Sequence, residues 1–85
     1  MPYRLFIRRS AEKEIASLSI DLRNRVIERV RTLATTPRPI GCIKLSGEDR
    51  AWRIRIGDYR VVYAVNDSEQ IVEIRTVAHR RDVYR

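Results

Sequence analysis

AWRIRIGDYRVVYAV, residues 51–65, reads as a β-hairpin. Trp52, Ile54 and Ile56 alternate with Arg53 and Arg55, and Tyr59 to Val65 is nearly all β-branched or aromatic, the composition a pleated and half-buried surface favours. Gly57-Asp58 suits a tight turn of the II′ kind, whose first position needs a positive φ that glycine adopts without steric cost. A two-residue loop sets the register: Ile56 opposite Tyr59, Arg55 opposite Arg60, Ile54 opposite Val61, Arg53 opposite Val62 and Trp52 opposite Tyr63. One face then carries Trp52, Ile54, Ile56, Tyr59, Val61 and Tyr63. The other carries Arg53, Arg55 and Arg60 around Val62. Like charges opposed across a strand pair destabilise by roughly 0.2–1 kcal/mol, so a sheet does not crowd arginines for its own stability. The cluster points to an anionic partner, and forked donors at this density suit phosphate.

Eighty-five residues make one small domain, 1–85, with a modest core. The formal net charge is +7, and among 18 basic residues only Lys13 and Lys44 are lysines, which favours phosphate recognition over general solubility. A lone Cys42 excludes an internal disulfide, and no cluster of Cys and His suggests a structural metal, so no cofactor is expected. The opening MPYRLFIRR lacks the apolar core of a signal peptide, and no apolar run approaches the roughly 20 residues of a membrane span. A cytoplasmic protein without a membrane partner is expected.

In chain order, residues 3 to 8 alternate as a first strand. Ser10 reads as a helix N-cap, with Glu12 and Glu14 in the first turn, where the helix dipole favours acids, and Ala11, Ile15 and Leu18 as a short apolar stripe. A second helix begins near Asp21, with Leu22, Val26, Ile27, Val30, Leu33 and Ala34 on one side and Arg23, Arg25, Glu28, Arg29 and Arg31 mostly on the other. Thr35-Thr36-Pro37-Arg38-Pro39 stops it. Residues 40 to 50 read as a loop, residues 66 to 69 as a turn, and residues 70 to 77 as a last strand in which Val72, Ile74 and Thr76 alternate with Glu73 and Arg75. The order β, α, α, β, β, β argues for an α+β fold: an N-terminal strand, a two-helix hairpin, then a three-stranded antiparallel meander with the helices packed on one face and the arginines on the other.

LSGEDRAWRIRIGDYRVVYAV, followed by VAHRRDVYR at residues 77–85, resembles the RelE branch of the RelE/ParE toxin superfamily over nearly the whole chain. The resemblance implies a RelE-like microbial RNase fold. It also implies the toxin of a type II toxin–antitoxin system: an endoribonuclease that enters the ribosomal A site, cuts mRNA there and so inhibits translation. A RelB-like antitoxin would hold it inactive, and operator DNA would be met only through that antitoxin. Residue by residue, the family's basic positions on the hairpin fall on Arg53, Arg55 and Arg60, its later arginine on Arg80 and its terminal tyrosine on Tyr84. His79 stands where some relatives place a basic or histidine residue. This chain has Arg53 and Arg55 where the best-known pattern has lysines, and a guanidinium cannot be deprotonated in a protein.

The chemistry open to such a site is attack of the neighbouring 2′-hydroxyl on the scissile phosphorus, without a metal. Arg55, Arg60 and Arg80 suit the charge that gathers on the phosphorane. His79 has the one side chain whose ordinary pKa, roughly 6.5, lies near neutrality, which makes it the candidate acid or base. Tyr84 could stack on an mRNA base or orient a reacting hydroxyl. His79, Arg80 and Tyr84 are expected beside the arginine face. Lys44, Arg53 and Arg81 are further candidates for RNA binding. Against these stand plainer readings: the hairpin arginines pairing with Glu48, Asp49 or Glu73, His79 and Tyr84 as tail residues, Lys44 as a solvated loop lysine, and Arg23, Arg25, Arg29 and Arg31 as a helix surface, although these four could also touch ribosomal RNA. Trp52, Tyr59 and Tyr63 are expected in the core. The functional alternative is a ParE-like inhibitor of DNA gyrase, with the same fold and basic surface but no nuclease chemistry.

Overall fold

The computed structural model describes residues 2–47 and 50–82. Its elements follow in the order β1 (Arg4–Ile7), α1 (Arg9–Ala16), α2 (Ile20–Thr32), β2 (Ile43–Lys44), β3 (Ala51–Ile56), β4 (Tyr59–Asn66) and β5 (Ile71–His79). The strands form one sheet in the order β1-β5-β4-β3-β2, parallel between β1 and β5 and antiparallel elsewhere. Ala11 and Ile15 of α1, with Val26 and Val30 of α2 and Leu33 just beyond it, pack against Ile54, Ile56, Val61, Tyr63, Val65, Val72, Ile74 and Val77 of the sheet. The helices therefore cover one face, as the α+β reading expects. Each fully buried aliphatic side chain, Ile54 or Ile74 for example, contributes about 1.5–3 kcal/mol relative to exposure.

The β3–β4 hairpin has the expected register at all five pairs from Trp52↔Tyr63 to Ile56↔Tyr59. Gly57 has φ +58 and Asp58 is not among the residues of positive φ, in keeping with a II′ turn. Tyr63 is fully buried, and its hydroxyl donates to the Pro37 carbonyl at 2.7 Å, which ties the loop after α2 to the sheet. Burial, reinforced by the nearby Cys42 thiol, pushes the Tyr63 phenol well above its ordinary pKa.

Four features differ from the expectation. Ser10 is not a cap: Arg8 is the N-cap residue of α1, because the Arg8 N–H still belongs to the parallel ladder, donating to the Ile74 carbonyl at 3.0 Å, and the helix starts directly after it. Glu14 serves β5 rather than only the helix dipole. Where β1 has ended, the Glu14 carboxylate accepts the Val77 N–H at 2.9 Å, filling the place of the missing neighbour strand. Residues 43 and 44, read as loop, pair with Arg53 and Trp52 as the short edge strand β2. Finally, β5 runs on to His79 and carries a bulge: Val62 pairs with Thr76 but Tyr63 with Ile74, leaving Arg75 unopposed. One extra residue reverses the faces beyond it. Val77 is buried where Thr76 was expected to point inward.

Candidate phosphate-binding site at the hairpin tip

Arg55 and Arg60 face each other across the hairpin on the side away from the helices. Arg55 donates through Nε, and Arg60 through Nη1, to the same Gly57 carbonyl, each at 3.3 Å. Arg60 also donates to the Tyr59 carbonyl at 3.1 Å. Two guanidinium groups are thus drawn to the turn by neutral carbonyl oxygens, which orient them without cancelling their charge. Arg53 lies on the same face, opposite Val62, about 7 Å further from the tip at the rise of an extended strand.

The end of β5 closes on this turn. Arg60 pairs with Ala78 and Tyr59 with His79, and one step further the Arg80 N–H donates to the Asp58 carbonyl at 2.8 Å. Alternation beyond the bulge places Thr76 and Ala78 on the arginine face and Val77 and His79 on the helix face, with Arg80 the first residue past the strand. The Arg80 backbone therefore meets the turn that carries Arg55 and Arg60, whereas His79 lies on the helix face. His79 sits edge-on to Tyr59, with ring centroids 5.5 Å apart, and its Nδ1 accepts the Arg81 N–H at 3.2 Å. Arg81 is exposed in the turn after β5. Lys44 is remote from the tip: on β2 it pairs with Trp52 and shares the helix face with it. Tyr84 lies outside the described residues, as do Glu48 and Asp49.

Among the described residues none of Arg53, Arg55, Arg60 or Arg80 has a carboxylate partner. Glu73 is engaged by Arg8 at 3.4 Å and Arg75 at 3.1 Å instead. Burial opposes ionisation of Glu73, yet the hydrogen bonds from Arg75 and Arg8 leave its pKa below the ordinary carboxylate value.

Arg25 is a basic residue of the tip that the hairpin pattern does not reveal. Its Nη2 reaches from α2 to 3.9 Å from where a Cβ on Gly57 would stand. Arg25 and Arg29 also line, with Ile56, an open cavity of about 420 Å³ between α2 and the turn. Their i, i+4 spacing shows a shared helix face, but nothing local says that this face meets the hairpin. The arrangement can grip a phosphate or a polyanion strand from several sides, and it supplies hydrogen bonds and charge rather than a proton acceptor.

Residues 5–84 match the family model described as the ParE toxin of the type II toxin–antitoxin system parDE. A protein of Methanocaldococcus jannaschii named as toxin RelE1 is 30% identical over 88 residues, covering 100% of this chain and 98% of that one. The fold is similar to the archaeal RelE–RelB complex from Pyrococcus horikoshii, with TM-score 0.85, 32% identity and coverage of 98% of this chain and 100% of the other. It is also similar to the intact Escherichia coli RelBE complex, with TM-score 0.80, 26% identity and coverage of 91% and 95%. The family model carries the ParE name and these relatives the RelE name, and it is the relatives, matched over 95–100% of their length, that decide the branch. The chain belongs to the RelE/ParE superfamily of toxins from type II toxin–antitoxin systems, on its RelE-type branch.

Proposed function

We propose that this protein is a ribosome-dependent endoribonuclease that cuts mRNA in the A site. The observation that supports it best is the meeting of the Arg55 and Arg60 guanidinium groups on the Gly57 carbonyl, with the Arg80 backbone tied to Asp58 beside them and no carboxylate partner for the three among the described residues. The 2′-hydroxyl oxygen attacks the adjacent phosphorus and the bond to the 5′ oxygen breaks. The 2′ proton leaves, the 5′ oxygen gains one, and the products are a 2′,3′-cyclic phosphate and a 5′-hydroxyl. Arg55, Arg60 and Arg80 donate to the phosphorane oxygens, where each preorganised donor is typically worth on the order of 10²–10³ in rate. No arginine can take the 2′ proton. His79 stands on the opposite face of the sheet, so the reading leaves proton transfer to the ribosomal site. Arg53, Arg81 and Tyr84 are assigned to holding the mRNA. A RelB-like antitoxin that covers the basic face is the partner this reading expects, since the Pyrococcus and Escherichia coli relatives are seen in complexes with RelB.

The test is to map mRNA 5′ ends on programmed ribosomes, with naked RNA and gyrase supercoiling assayed alongside. Cleavage on the ribosome with barely any on naked RNA is expected. Comparable cutting of naked RNA would remove the ribosome from the mechanism, and gyrase inhibition without cleavage would move the chain to the binding-toxin alternative.

A further inference from the structure

At the other end of the hairpin, on the helix side of the sheet, a cleft of about 250 Å³ has Arg38, Lys44, Arg50, Trp52, Asn66 and Asp67 among its lining residues. Trp52 is five residues from the turn, about 17 Å at the rise of a strand, so this cleft is separate from the tip. We propose that it is a nucleotide subsite, with the base against the Arg38–Trp52 stack and the phosphate on Lys44 and Arg50.

The stack is built in advance. The Arg38 guanidinium carbon lies 5.3 Å from the centre of the Trp52 ring. It is held there by Asp67 at 2.6 Å, while Tyr3 donates to the other Asp67 oxygen, also at 2.6 Å. The Tyr63 bond to Pro37 fixes the loop from which Arg38 extends. An aromatic ring and a planar guanidinium are the surfaces on which unpaired bases stack.

The charge is suited to the phosphate. Arg38 offsets Asp67, both of whose oxygens are occupied, while Lys44 and Arg50 make no ion pair among the described residues. Among the described residues the cleft thus presents three cations, Arg38, Lys44 and Arg50, against the one Asp67 carboxylate, whose pKa the nearby Arg50 charge also helps to lower. Arg50 stands at φ +65, a left-handed conformation unfavourable for a residue with a side chain, and its carbonyl is held by the Val65 N–H at 2.9 Å. Asn66 uses its Oδ1 to accept from Ser68 and from the Glu69 N–H, which leaves its amide N–H groups to meet a base or sugar. At about 250 Å³, just under the roughly 300–1,000 Å³ of drug-sized sites, the cleft has room for one nucleotide unit.

Trp52 is the chain's one tryptophan, so its fluorescence reports on this cleft directly. The full-length toxin is titrated with 5′-AMP and, separately, with a short single-stranded oligoribonucleotide; adenosine and inorganic phosphate serve as half-ligands. Saturable quenching by AMP or by the oligonucleotide is expected, tighter than by either half-ligand. Response to AMP identifies a site for the free nucleotide, and response to the oligonucleotide alone identifies a subsite along an RNA strand. The exposed pair Lys44→Gln and Arg50→Gln should weaken the response at least 10-fold and flatten its log–log salt slope by about 1–2, whereas Lys13→Gln on the exposed side of α1 should leave it unchanged. No saturable quenching, quenching unaffected by the double substitution, or quenching by an acidic RelB-like peptide but by neither nucleotide probe would overturn the proposal. Ribosomal cleavage, assayed on the same preparations, stands or falls separately.

Discussion

Arg60 decides whether the tip works by charge or by forked hydrogen bonding. Arg60→Lys keeps the charge and loses the planar fork, so cleavage on programmed ribosomes should fall roughly 10-fold or more while ribosome affinity hardly changes. Single-turnover cleavage beside a binding assay checks this, and an Arg60→Lys protein that cuts at the parental rate would make the cluster structural. Truncation should not unfold the protein. Arg55→Ala or Arg60→Ala loses exposed hydrogen bonds to backbone carbonyls but relieves the cross-strand repulsion, so urea melts should move by no more than about 1 kcal/mol in either direction. Arg25 approaches the same turn from α2. Arg25→Gln is expected to weaken association with RNA about equally across sequences, and to reduce the salt slope of binding by about 1. An unchanged slope would place Arg25 outside the RNA path.

At the level of elements, the end of β5 runs past β1 and is paired with a strand on one side only, by β4. The Glu14 carboxylate, which accepts the part-buried Val77 N–H, substitutes for a strand that stops at Ile7. Glu14→Ala leaves that donor without its partner and should cost about 1–3 kcal/mol. Glu14→Gln keeps an acceptor oxygen and should cost much less. Hydrogen exchange at Val77, compared between the two variants, reads the effect at the bond itself; equal exchange in both would mean that the carboxylate is not what protects it. The same stretch carries Arg80 to the hairpin turn, so the Ala variant should also lower cleavage, whereas the Gln variant should not.

For the whole molecule, stability at low pH rests on carboxylates surrounded by arginine. Asp67 has its pKa lowered first by the hydrogen bond from Arg38 and then by that from Tyr3, and Glu73 is lowered by Arg75 and Arg8 against the effect of burial. A carboxyl group whose folded pKa is depressed stabilises the fold above its unfolded value, about 4, and loses that contribution as the pH falls through the folded value. Thermal melts should therefore hold steady from about pH 7 to 5 and decline below about pH 4, and Asp67→Asn should show a shallower decline; an identical decline would remove Asp67 from the account. The hairpin register, the arginine face and the α+β order were legible in the sequence, because a two-residue turn, the period of two in a strand and the apolar stripe of a helix are set by neighbours along the chain. The edge strand β2 was not, since two residues carry no period and their pairing is offered by the free edge of β3. Nor was the place of His79. Counting from Val72 by twos sends it to the arginine face, and only the bulge opposite Val62 and Tyr63 turns it to the helix side while bringing Arg80 to the tip. The sequence by itself determined which residues carry charge and that the three C-terminal strands form an antiparallel meander. The tertiary structure decided which of the tail's basic groups meets the hairpin, because the face a strand presents depends on the parity of its pairing with a neighbour, and one unpaired residue inverts it.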